Sequence, residues 1–132
     1  MDFALGCPPG YTPDPDIVST AEGLAAASGA SVLITHDAAQ ALDGAHAVYT
    51  DVWASMGQEQ EAAERKKAFH AYQVNQELFE QARPDAVFLH CLPAKRGEEV
   101  TDAVIESPRS VVFQEAENRL HAQKALLLMM LT

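Results

Sequence analysis

The sequence predicts a three-layer α/β sandwich with a parallel sheet, and three observations point there. Short apolar runs recur at 2–5, 31–35, 47–50, 86–89 and 110–113, and helical-period segments separate them. The runs are apolar at consecutive positions instead of alternating, which suits strands covered on both faces. The order strand, helix, strand, helix is that of crossover connections between parallel strands.

Asp2 to Leu5 reads as a short strand, ended by Cys7-Pro8-Pro9-Gly10 and Thr12-Pro13, where regular backbone hydrogen bonding cannot continue. Asp14 followed by Pro15 is an N-cap with proline at the first helical position. Ile17, Ala21, Leu24 and Ala25 then keep helical spacing up to Gly29. Ser31 to Thr35 is a strand, Asp37 caps a short helix through Leu42 that stops near Gly44, and Ala47 to Thr50 is the next strand, ending at Asp51. A helix is expected from near Gln58, where Glu59, Glu61 and Glu64 precede Arg65, Lys66 and Lys67, an order that complements the helix dipole. Val74 to Ala82 is expected helical, Ala86 to Leu89 a strand, Glu98 to Ile105 a helix and Ser110 to Phe113 a last strand. Glu115 to Leu131 closes the chain as a helix with Ala116, Leu120, the Lys124 stem, Leu127 and Leu131 on one stripe.

The chain has 132 residues, enough for one domain that buries roughly two-thirds of its unfolded surface. A net charge of -10 argues against a nucleic-acid footprint, which needs clustered Lys and Arg. Leu126 to Leu131 is far shorter than the roughly 20 residues of a membrane span. Only Cys7 and Cys91 are present, too few for a disulfide framework, so a reducing compartment and a cytoplasmic location are expected.

In open parallel sheets ligands bind beyond the carboxyl ends of the strands. That rule selects His36 and Asp37, Asp51, His90 and Cys91, and Gln114 to Arg119. Asp51 suits a cationic amine, Cys91 as a thiolate suits proton transfer, and Arg119 near a helix start suits a phosphate or carboxylate. Each has a plainer reading: Asp51 as a strand terminator, Cys91 as a small buried hydrophobe, His36 and His90 as satisfied strand-end histidines. A metal held by two histidines and a cysteine is the minor alternative, and no metal is expected. Lys95-Arg96 reads as a solvated rim. Gly6, Gly10, Gly23, Gly29, Gly44, Gly57 and Gly97 are too scattered for a dinucleotide loop, so no nucleotide cofactor is supported.

Three segments carry a family resemblance: Asp51-Val52-Trp53-Ala54-Ser55-Met56-Gly57-Gln58-Glu59, His90-Cys91-Leu92-Pro93-Ala94 and Glu117-Asn118-Arg119-Leu120-His121. Together they closely resemble the ornithine carbamoyltransferase family, over nearly the whole chain and in the family's order. The Ser-Met-Gly loop and the cysteine look like the ornithine branch, since the aspartate branch carries proline at that cysteine. The resemblance implies an incomplete second domain of a transcarbamylase with a Rossmann-like sheet. It implies that Asp51, Ser55 and Met56 bind ornithine, that Cys91, Leu92 and Arg119 bind carbamoyl phosphate, and that Cys91 and Asp51 act in catalysis. The implied reaction joins the carbamoyl group to the ornithine side-chain amine, giving citrulline and phosphate without a cofactor.

By the same resemblance, residues 1–132 are expected to be the C-terminal, ornithine-binding half. The domain's first strand and helix and the whole N-terminal carbamoyl-phosphate domain are expected to be missing. The whole enzyme is expected to be a homotrimer or a multiple of one, in arginine biosynthesis or catabolism, with neither nucleic acid nor membrane as partner. The chain alone is expected to be inactive. The alternatives are a non-catalytic amino-acid-binding module and a nonfunctional truncation.

Overall fold

A computed structural model of the chain describes residues 1–54 and 59–131. In order, its elements are β1 (Phe3–Gly6), α1 (Pro15–Ser28), β2 (Val32–Thr35), α2 (Ala38–Leu42), β3 (Ala47–Thr50), a 3-10 turn at Glu59–Glu61 leading into α3 (Ala62–Phe69), and a second turn at His70–Tyr72. Then follow α4 (Gln76–Phe79), β4 (Val87–His90), α5 (Asp102–Ile105) and α6 (Val112–Leu131). The class is α/β with parallel strands, as the sequence predicts.

The well-signalled elements form where their caps place them. Asp14 accepts the Asp16 N–H at 2.8 Å and Pro15 opens α1 without a donor to satisfy. Gly29, at φ 71°, ends the helix in the left-handed region that a side chain would strain. Asp37 accepts from the amides of Ala39 and Gln40 at 2.9 and 3.2 Å and starts α2. β3 keeps its expected bounds.

β1 pairs with β2, from Phe3 opposite Val32 to Gly6 opposite Thr35, and β3 pairs with β4, from Ala47 opposite Val87 to Thr50 opposite His90; both pairs are parallel. Among the described residues these are two separate two-stranded sheets. The core lies on the β3–β4 side, where Val48, Phe79, Phe88, Val100, Val104 and Val112 are buried together. The Phe79 and Phe88 rings meet edge to face at 6.1 Å.

Three expected elements differ. Ser110 to Phe113 is not a strand: Ser110 makes one isolated bridge to Phe88, and α6 begins at Val112. The helix expected over Glu98 to Ile105 is confined to α5, because Val100 bridges to Val74 and to Arg96. The helix expected from Val74 to Ala82 shrinks to α4 for the same reason, since Val74 donates to Glu99 O at 2.9 Å and accepts from Thr101 N–H at 3.2 Å. Among the described residues no helix is long and apolar enough to cross a membrane.

Candidate functional site

The register that sets Thr50 opposite His90 brings the next residue of each strand together at the carboxyl ends of β3 and β4. The Cys91 thiol donates to Asp51 Oδ1 at 3.1 Å, and the same oxygen accepts the Val52 N–H at 2.7 Å. Two residues forty positions apart are thus joined by strand pairing.

Tyr49 and Asp51 project to the same side of their strand, because side chains alternate. Loss of hydration first, then a hydrogen bond with Cys91 and the charges nearby, push the Tyr49 phenol up to about 12. The Cys91 thiol is also held above its ordinary value, by burial first and then by the Asp51 carboxylate that accepts its hydrogen bond. Of the two readings open for Cys91, the thiolate is therefore disfavoured in this arrangement: Cys91 is a neutral donor. From α6, Glu115 accepts the His90 N–H at 3.0 Å.

Asp51 and Glu115 are ion-paired with no cation among the described residues. Two carboxylates beside two neutral donors suit a positively charged amine far better than an anion.

Behind this wall, His90 is wholly buried and has a positioning role. The Leu92 N–H donates to His90 Nδ1 at 2.8 Å, so the ring proton sits on Nε2, 3.1 Å from Glu99 Oε1. Glu99 Oε1 also accepts the Lys95 N–H at 2.6 Å. These bonds fix Leu92 at φ 52°, followed by a cis peptide to Pro93.

The remaining candidates separate. His36 Nδ1 is bonded to Cys7 O at 2.8 Å, and Asp37 serves as the cap of α2, so both have structural work. Arg96 holds Asp102 at 2.8 Å and Glu106. Arg119 lies two turns into α6 instead of at its start, is exposed, and has no polar partner among the described residues. Ser55 and Met56 lie outside the described residues. The Trp53 ring, stacked on Phe69 at 6.3 Å, anchors the segment that leads toward them. Sequence reasoning missed Tyr49 and Glu99; the two-residue spacing from Asp51 was the available signal for Tyr49.

Residues 1–130 match the sequence profile of the aspartate/ornithine carbamoyltransferase Asp/Orn binding domain. The chain belongs to this family. It is 60% identical over 126 residues to the ornithine carbamoyltransferase of Thermococcus kodakarensis, covering 96% of this chain and 40% of that protein. With the Geobacillus stearothermophilus ornithine carbamoyltransferase it shares 56% over 131 residues, 99% of this chain and 42% of the relative. The solved ornithine carbamoyltransferase of Pyrococcus furiosus superposes with a TM-score of 0.89 at 57% identity, over 96% of this chain and 40% of that one. A solved acetylornithine transcarbamylase superposes at 0.81 with 37% identity, over 96% and 39%. The chain thus spans about two-fifths of the length of these relatives.

Proposed function

We propose that this chain supplies the amino-acid half of an ornithine carbamoyltransferase site, in which the carbamoyl group of carbamoyl phosphate passes to the ornithine side-chain amine. The observation that carries the reading is the Cys91–Asp51 contact at 3.1 Å, with Tyr49 beside it, in a member of this family. An ammonium group is almost wholly protonated near neutral pH and must lose a proton before it attacks a carbonyl carbon. Asp51 holds the cation and its carboxylate takes the proton that the amine gives up, while the neutral Cys91 thiol, donating to the same carboxylate, steers that transfer. Ser55 and Met56 hold the amino-acid end, and Leu92 and Arg119 meet carbamoyl phosphate.

The fixed Leu92 backbone gives this reading physical support, since the His90–Glu99 pair presets the loop before any substrate arrives. The phosphate clamp is mostly supplied by polypeptide outside these residues, so the chain alone forms no citrulline. In this reading the whole enzyme is a cytoplasmic trimer, or a multiple of one, in arginine metabolism.

Calorimetric titration of the chain with ornithine tests it. Heat of binding is expected, and Asp51→Ala should remove it while the circular dichroism spectrum stays unchanged. Unaltered ornithine binding by the variant sinks the assignment of Asp51. Citrulline formation above a Cys91→Ala, Arg119→Ala double-variant background overturns the inactivity of the chain alone.

A further inference from the structure

The Cys91 sulfur has two neighbours from β3 and its end. Tyr49 and Asp51 stand on one face of that strand, about 7 Å apart at roughly 3.3 Å per residue, a span that a tyrosine side chain crosses. Cys91 follows the Thr50–His90 pair, so its sulfur lies beside Asp51 and within hydrogen-bonding reach of the Tyr49 hydroxyl.

Donor chemistry fixes the direction of each bond. An ionised carboxylate only accepts, so the Cys91 S–H hydrogen goes to Asp51 Oδ1, 3.1 Å away. With its one hydrogen spent, the sulfur has only lone pairs left for Tyr49, and the phenol must donate to it. The result is a directed chain, from the Tyr49 hydroxyl to the Cys91 sulfur and from the Cys91 thiol to Asp51. Oδ1 also takes the Val52 N–H at 2.7 Å, and among the described residues nothing donates to Oδ2. Two donors therefore hold one carboxylate oxygen and leave the other open to a cation. The neighbouring charges are engaged elsewhere. Glu115 of α6 takes the His90 N–H, the His90 ring is turned to Glu99, and Arg65 of α3, which borders the same hollow as Tyr49 and Asp51, pairs with Glu61 at 3.1 Å.

We propose that Tyr49 is a positioning residue for the amine: its hydroxyl fixes the Cys91 thiol so that the thiol hydrogen stays on Asp51 Oδ1 and Oδ2 is presented to the incoming ammonium group. The role deepens the carbamoyl-transfer reading and rests on it for the identity of the amine; the Tyr49–Cys91 bond does not. In this assignment Tyr49 acts through Cys91 and touches no substrate itself. The phenol, pushed up to about 12, remains a donor throughout the neutral range.

The test titrates four chains with ornithine by calorimetry: wild type, Tyr49→Phe, Cys91→Ala and the double variant. Tyr49 is 56% exposed and phenylalanine keeps its ring, so the circular dichroism spectrum and the urea midpoint should stay in place. Tyr49→Phe should weaken ornithine binding about two- to tenfold, the factor that one neutral hydrogen bond carries. In the Cys91→Ala background the same substitution should cost nothing further. The thiol gives an independent readout. In a Cys7→Ala background Tyr49→Phe removes a donor that favours the thiolate, so the midpoint of iodoacetamide alkylation against pH should move up. Equal losses of ornithine affinity with and without Cys91 would overturn the proposal, making Tyr49 a direct contact or a packing residue. An alkylation midpoint that stays or falls would overturn it too. A wild-type chain that binds no ornithine would sink the proposed function and this role with it, while a raised midpoint would still establish the Tyr49–Cys91 bond.

Discussion

Cys91 shows how one neighbour changes what a residue type is able to do. A cysteine at a strand end suggests a nucleophile or base, but burial and then the Asp51 carboxylate hold its proton in place. Replacing Asp51 by Asn removes the charge and leaves the burial. In a Cys7→Ala background, alkylation of Cys91 by iodoacetamide near pH 8 should therefore speed up, by as much as about tenfold, the factor one pKa unit carries. The midpoint of the rate against pH should move down; a midpoint that stays or rises would show that the carboxylate does not set the thiol's acidity. The site was legible at this scale where the strand-end rule applied, as with Asp51 and Cys91. Of the two readings open for His90, the structure takes the satisfied strand-end histidine, because burial on β4 alternates: Phe88 and His90 point inward, while Leu89 and Cys91 are only half-buried.

At the scale of elements, what the sequence disclosed was what local chemistry decides. α1, α2 and β3 carry their own caps or boundaries and appear where expected. Ser110 to Phe113 was expected to be a strand, but a short apolar run does not by itself exclude helix, and the structure starts α6 there, with Val112 buried and Glu115 N–H donating to Val111 O at 2.9 Å. Val74 and Val100 pair with each other across the fold, and no local period encodes such a partner. The segment between β4 and α5 is held by Glu99, wholly buried, whose Oε1 takes both His90 Nε2 and the Lys95 N–H. Glu99→Ala strands both donors and should cost at least about 1–3 kcal/mol in urea unfolding, with faster exchange of the Leu92 amide. Glu99→Gln keeps an acceptor and should lose less. Equal losses in the two variants would mean that the acceptor is not what holds this segment.

At the scale of the whole molecule, α6 is a twenty-residue helix that the rest of the fold covers only at its first turn. The stripe expected to face a core, Ala116, Leu120, Lys124, Leu127 and Leu131, is exposed, and Val112 alone among the residues of this helix is buried. Leu126, Leu127, Met129, Met130 and Leu131 extend the apolar surface all round the last turns, with Leu131 82% exposed. An apolar surface of this extent promotes association. The chain's net charge of -10 opposes it, and that repulsion is screened as ionic strength rises. The mass measured by light scattering should therefore increase between about 0.02 and 1 M salt, as the Debye length falls from roughly 20 to 3 Å. A hydrophobic dye should bind throughout. Leu127→Glu with Leu131→Glu should keep the chain monomeric and cut dye binding, and should change stability by no more than about 0.5 kcal/mol per exposed site. A wild-type chain that stays a monodisperse monomer at both salts and binds no dye would show that these side chains are covered within the molecule.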